Sequence, residues 1–177
     1  LAALFSALGA AAAADGPPFS SASPLTGDAR KPTDGRPRPA TSEVEKTLDK
    51  LLRLSEKRSG LVDVLLGHTG GGKGDADAAS ELTTSRLRHD LAALERWTVR
   101  ENNKGRSVPG EQRGLDYNPL TCAQDVSDAP YGYRTTASTA DRADIAYFWP
   151  GEADPLARFA MVREAGGWKL DGVWCLP

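Results

Sequence analysis

Nothing in this chain limits its fold more than the segment Arg142–Pro177, which holds half of its aromatic side chains. The run Ala143-Asp144-Ile145-Ala146-Tyr147-Phe148-Trp149 is followed by Leu156–Glu164 and then Trp168–Cys175. Pro150–Pro155 and Ala165-Gly166-Gly167 separate the three runs. β-Branched and aromatic runs bounded by Pro and Gly predict consecutive antiparallel strands. Strand alternation puts Ala143, Ile145, Tyr147 and Trp149 on one face, and Asp144, Ala146 and Phe148 on the other. Upstream, Tyr131, Tyr133 and Arg134 lead into Thr135–Thr139, a β-prone stretch expected to pair with them.

The sequence ahead of these strands has helical periodicity. Thr41 or Ser42 stands as an N-cap, and Ser42 with Glu45 fits a capping box. Val44, Leu48, Leu51 and Leu52 form an apolar stripe, with Glu45, Lys46, Asp49, Lys50 and Arg53 expected to turn outward. This helix should fade near Ser59-Gly60. Leu61–Leu66 is a further apolar element that periodicity leaves open between helix and strand. A main helix is predicted from Ser80 to about Arg100, with Leu87, Leu91, Leu94 and Thr98 on one face and Ala92 and Trp97 widening it. Leu115–Asp125 reads as a loop pinned by Tyr117, Leu120 and Cys122. Helices first and strands afterwards is the order of an α+β domain.

The chain begins differently. Leu1–Ala14 is apolar and rich in small residues, and Ala12-x-Ala14 precedes Asp15 as a cleavage signal would. It is too short to span a bilayer and reads as a secretory signal peptide truncated at its start, which implies export to the periplasm or beyond. Residues 15–40 carry half of the prolines with little apolar surface, the composition of a disordered linker. Residues 41–177 then form a single domain, with no stable membrane anchor in the mature chain.

Several chemistries are poorly supported. Gly67-x4-Gly72-Lys73 resembles a phosphate-cradling loop, but Gly74 stands where Ser or Thr should hold Mg²⁺, and no βαβ alternation follows. Asp75-x-Asp77 opens like a calcium loop, yet Ser80 occupies the position that requires Gly. These residues are read as a flexible glycine loop. His68 and His89 are the only histidines, and His89, beside Arg88 and Asp90, reads as a solvated helix-face residue. No metal site and no cofactor is expected. The net charge of -2 gives no reason to expect a nucleic-acid partner. Cys122 and Cys175 are the only cysteines, and in an exported chain they are expected to form a disulfide. Such a bridge would stabilise the fold by roughly 4 kcal/mol.

Asp116-Tyr117-Asn118-Pro119-Leu120 with Ala123-Gln124-Asp125, then Val162-Arg163-Glu164-x3-Trp168-Lys169-Leu170-Asp171, resembles a bacterial envelope family, domain-of-unknown-function family 3828. That family is placed in the nuclear-transport-factor-2-like superfamily. The resemblance implies two or three N-terminal helices packed on a strongly curved antiparallel sheet, forming a cone with a pocket. It implies no single activity, since such folds serve as enzymes, binders, dimerising modules and immunity proteins. Two readings follow. The first is a non-catalytic ligand-binding or protein-interaction domain, with Asp125, Tyr131, Tyr133, Arg134, Tyr147 and Trp149 as its ligand or partner face. Its partner would be an unknown small molecule or envelope protein, and the sheet offers a route to a homodimer. Tyr147 and Trp149 are read first as core, packed against Leu91, Leu94 and Trp97, with a cone mouth rimmed by Arg134 and Arg158 as the sharper view. The alternatives are an immunity protein for a secreted toxin, or an isomerase- or dehydratase-like enzyme. The enzyme would take a carboxylate from Asp125, Asp144 or Asp171 and a donor from Tyr131, Tyr133 or Tyr147.

Overall fold

The computed structural model describes residues 36–106, 109 and 114–176. The expected signal peptide and the linker up to residue 35 lie outside them. Four helices precede a four-stranded antiparallel sheet: α1 (Glu43–Lys57), α2 (Ser59–Leu66), α3 (Lys73–Leu82) and α4 (Ser85–Glu101), then β1 (Gly132–Ser138), β2 (Arg142–Phe148), β3 (Ala157–Glu164) and β4 (Gly167–Cys175). The α+β order expected from the sequence is present, with one or two more helices than predicted. Among the described residues, no helix is long and apolar enough to cross a membrane.

Helix α1 starts at the capping box: Ser42 Oγ accepts from the Glu45 amide at 3.3 Å, and the Glu45 carboxylate accepts from the Ser42 amide at 3.1 Å. Leu48, Leu51 and Leu52 are fully buried, as the periodicity predicted. Glu45, Asp49 and Arg53 correct the expectation that they turn outward. Glu45 is buried beneath Arg38 and β1, and its carboxylate accepts from Thr135 Oγ1 at 2.9 Å. The other two are partly buried and meet the sheet. Leu61–Leu66, left open by the sequence, is helical, because Leu61, Leu65 and Leu66 recur at helical spacing and all enter the core. Gly67 ends α2 in a left-handed conformation at φ 78°, for which glycine carries no Cβ penalty.

The long helix predicted from Ser80 is two helices. Thr83 and Thr84 leave helical geometry between α3 and α4. Thr84 caps α4 through its hydroxyl, which accepts from the Leu87 amide at 3.1 Å, while its own amide donates to Leu170 O at 2.9 Å. A tertiary hydrogen bond to β4 thus replaces a helical one. The glycine loop is correspondingly shorter than read, since α3 begins at Lys73. Asp75 serves that start: it accepts from the Gly72 amide at 3.0 Å and pairs with Arg58 at 2.6 Å.

The sheet runs β1-β2-β3-β4. Across its strands Tyr133, Tyr147, Ala157 and Cys175 stand in one row, and Arg134, Ala146, Arg158 and Trp174 in the next. Tyr133, Tyr147, Ala157, Ile145, Phe159 and Met161 share a core with the helical leucines, so theirs is the covered face. Bulges at Thr136 and Asp171 interrupt the edge pairings and bend the strands that carry them. Ala165 and Gly166, at φ 49° and 82°, form the two-residue turn between β3 and β4, the left-handed pair that a tight hairpin requires. Arg38 exchanges backbone hydrogen bonds with Tyr133 at 3.3 and 2.8 Å, so residues of the expected linker from Arg36 onward reach the free edge of β1. Cys122 and Cys175 are joined, with Cα atoms 5.5 Å apart.

Candidate functional site

Tyr131, Tyr133 and Tyr147 project from the covered face toward α1 and bring three hydroxyls to its polar flank. On that flank Asp49, Arg53 and Glu56 follow at helical spacing, one turn apart. Tyr133 donates to Asp49 Oδ1 at 2.8 Å, and Tyr131 donates to Glu56 Oε1. Burial of Tyr and Trp is inexpensive when the polar tip finds such a partner. The Arg53 guanidinium lies 3.8 Å from the centre of the Tyr131 ring, close enough for a cation–π contact. It also donates to Ser127 O at 2.5 Å and Ala129 O at 2.7 Å, holding the segment before β1. The rings interlock: Tyr131 to Tyr147 at 5.0 Å, Tyr131 to Trp149 at 5.8 Å, Tyr133 to Tyr147 at 6.0 Å and Tyr147 to Phe159 at 5.7 Å.

In front of this cluster opens a cleft of about 500 Å³, walled by α1 on one side and Val126–Asp128, Pro130 and Tyr131 on the other. Lys46, Lys50, Arg53 and Lys57 line its α1 wall. Val126 stands at its rim with 63% of its surface exposed, against the usual preference of a large aliphatic side chain. A second hollow of about 510 Å³ shares Pro39, Pro130 and Tyr131 with the first and continues past Trp149 to Ala153.

Three groups here have unusual electrostatics. The Glu56 side chain is only 3% exposed; burial, the largest influence, raises its pKa above the ordinary carboxylate value, and Arg53 only partly opposes this. The Tyr147 hydroxyl is fully buried and has no hydrogen-bond partner among the described residues. Burial raises its pKa, and the charge of Glu56 pushes the same way. Tyr133 is raised as well, by burial and then by Asp49.

The structure gathers Tyr131, Tyr133, Tyr147 and Trp149 at one place. It puts Arg134 on the opposite sheet face, 5.2 Å from the Phe148 ring, and Asp125 on an exposed loop just before the cleft wall. Tyr147 shares the buried core with Leu91, and Tyr131, Tyr133 and Phe159 are its ring neighbours beside the charged flank of α1. Among the described residues, the three aspartates considered as a pocket carboxylate are placed apart from the tyrosine cluster. Asp171 accepts from Thr84 Oγ1 at 2.8 Å and pairs with Arg86, and Asp144 belongs to the uncovered face. The carboxylates beside the tyrosines are Asp49 and Glu56, which sequence reasoning missed. Their signal was a polar stripe at i, i+4 and i+7 beside the apolar one, facing tyrosines that needed acceptors. Elsewhere His68 bridges Asp63 at 3.5 Å and Glu95 at 3.2 Å, tying α2 to α4, and His89 is exposed as expected. Among the described residues no cluster of His, Cys, Asp and Glu is arranged to hold a metal.

Comparison with protein-family models, with curated proteins and with solved structures finds no match for this chain.

Proposed function

We propose that this chain is an exported, non-catalytic ligand-binding domain of the periplasm or the extracellular space, with the cleft between α1 and residues 126–131 as its site. The observation that carries the reading is the Tyr147 hydroxyl, which has no partner among the described residues and lies one ring behind the Tyr131 wall of the cleft. A buried donor without an acceptor costs about 1–3 kcal/mol, a penalty that native proteins keep mainly where a function uses the group. The volume suits a small molecule, and the mixture of cations, tyrosine and an exposed valine favours one with polar and apolar parts. The resemblance to family 3828 and to a cone-shaped pocket fold supports the same reading, as does the apolar leader for export.

The test is a thermal-shift screen of the full chain against envelope metabolites and cell-wall fragments, repeated on Val126→Asp. Ligands of the cleft should stabilise the parent protein and lose that effect in the rim variant. Hits that stabilise both proteins equally would exclude the cleft, and a stoichiometric protein partner without any ligand would replace this reading with an interaction module. For export, N-terminal sequencing should find the mature chain starting at Asp15; an unprocessed protein retained in the cytoplasm would refute that part.

One observation favours a second reading. Glu56, with its raised pKa and its bond to Tyr131, has the character of a general acid or base. An isomerase- or dehydratase-like activity would then use Glu56 in place of Asp125, Asp144 or Asp171. Glu56→Gln should remain folded and lose turnover on a cleft ligand; ligand binding without any conversion by the parent protein removes the enzyme reading.

A further inference from the structure

The face of the sheet turned away from the helices carries a further cavity, of about 230 Å³, lined by Thr136, Asp144, Arg158, Phe159, Trp174 and Leu176. Its chemistry is best seen beside a comparable residue pair on the same two strands. β3 and β4 place an arginine opposite a tryptophan twice: Arg163 opposite Trp168, and Arg158 opposite Trp174. In the first pair the guanidinium lies 5.1 Å from the indole centre and bonds Glu43 at 2.7 Å, so both groups are satisfied within the protein. In the second pair neither happens. Arg158 is exposed and makes no ion pair, hydrogen bond or ring contact among the described residues, and the cavity opens beside it and Trp174.

The next row of the sheet supplies the floor. Ala137, Asp144, Ala160 and Gly172 are aligned across the strands, and the small residues Ala160 and Gly172 leave room beneath the taller Arg158 and Trp174. Directly opposed positions are about 4.5–5.5 Å apart at Cβ, so a flat group entering here lies within reach of both side chains. A guanidinium is built for two parallel hydrogen bonds to a carboxylate, and an indole offers a flat apolar face. The volume lies below the roughly 300 Å³ at which sites for drug-sized molecules begin, so the occupant is small.

We infer that this cavity is a second binding site, separate from the α1 cleft, for a small carboxylate carrying a flat apolar body. The carboxylate pairs with Arg158 and the body lies against Trp174. The inference rests on the Arg158–Trp174 geometry and not on the proposed role of the cleft.

The probe is sodium benzoate, titrated into the full chain while the tryptophan indole N–H resonances are followed by NMR. One indole signal should move, the one missing from Trp174→Phe, with saturation in the millimolar range. Arg158→Gln should weaken binding by about ten-fold, the loss of one charge-assisted pair. Benzamide, of the same shape without the charge, should move the signal far less. Arg158 is exposed, so an unchanged amide spectrum certifies the variant as folded. Benzoate binding that survives Arg158→Gln, a shift confined to another indole, or no shift at all overturns the site. A dimer that buries Trp174, seen by light scattering together with an absent benzoate response, also overturns it.

Discussion

Glu45 and Glu56 lie on the same helix and respond to burial in opposite ways, and the difference is a matter of hydrogen bonds. Burial raises both. At Glu45 it is outweighed by the amides of Thr41 and Ser42 and by the side chains of Thr135 and Arg38, which together bring the pKa from 4.5 to about 2. At Glu56 burial wins over Arg53, and the pKa is raised. The consequences for stability have opposite signs. Glu45, depressed in the folded state, stabilises the fold above 4.5, and this contribution disappears as pH falls toward 2. It is worth about 3 kcal/mol. Glu56, raised in the folded state, favours folding below its unfolded pKa, and that contribution is lost as pH rises through its folded value. Urea unfolding at a series of pH values should therefore show a shallower acid limb in Glu45→Gln than in the parent. In Glu56→Gln the decline on the alkaline side of the carboxylate range should vanish instead. Identical pH profiles for the parent and Glu45→Gln would show that the Glu45 cluster is not electrostatically coupled to folding.

At the scale of elements, the break between α3 and α4 shows how a side chain can act in two elements at once. The Thr84 hydroxyl accepts from the Leu87 amide at the start of α4 and donates to Asp171 in β4 at 2.8 Å. Thr84→Ala removes both bonds and leaves the buried Asp171 carboxylate with Arg86 as its remaining side-chain partner. A loss of about 1–3 kcal/mol is expected, measured as a lower urea midpoint with an unchanged slope. Thr84→Ser, which keeps the hydroxyl, should recover most of it; equal loss in both would point to packing of the methyl group. The same break marks where sequence reading reached its limit. The strands were legible because their aromatic runs are bounded by Pro and Gly, and α1 because Ser42 and Glu45 announce it. The Ser80–Arg100 region carries no Gly or Pro, so nothing local signals that Leu170 will take the Thr84 amide. The site divides in the same way. Its tyrosines stood out by type, whereas Asp49, Arg53 and Glu56 looked like a solvated flank until the sheet folded against them.

At the scale of the whole molecule, the disulfide joins more than two ends of chain. Cys122 precedes the segment that walls the α1 cleft, and Cys175 lies between Trp174 and Leu176, both of which line the cavity on the other face. The loop around Cys122 is anchored independently, by Leu120 in the core and by Asn118, which donates to Ser55 at 3.0 Å. Its local fold should therefore survive reduction better than its attachment to β4. With the cysteines 53 positions apart in sequence, the bridge contributes up to about 4 kcal/mol by restricting the unfolded chain. For a domain of this size that corresponds to a fall in Tm on the order of 10 °C. Scanning calorimetry of the oxidised protein, the reduced protein and the Cys122→Ser/Cys175→Ser variant should show the drop in the last two alike. A drop only on chemical reduction, absent from the double variant, would implicate the reductant and not the bridge. Below the lowered midpoint the reduced protein should keep its Arg53 contacts to Ser127 and Ala129, and with them the α1 cleft. The cavity beside Arg158 is lined by Trp174 and Leu176, the two neighbours of Cys175, so benzoate binding there should weaken more than any ligand of the cleft. Equal weakening at both sites would mean that the bridge sets the geometry of both.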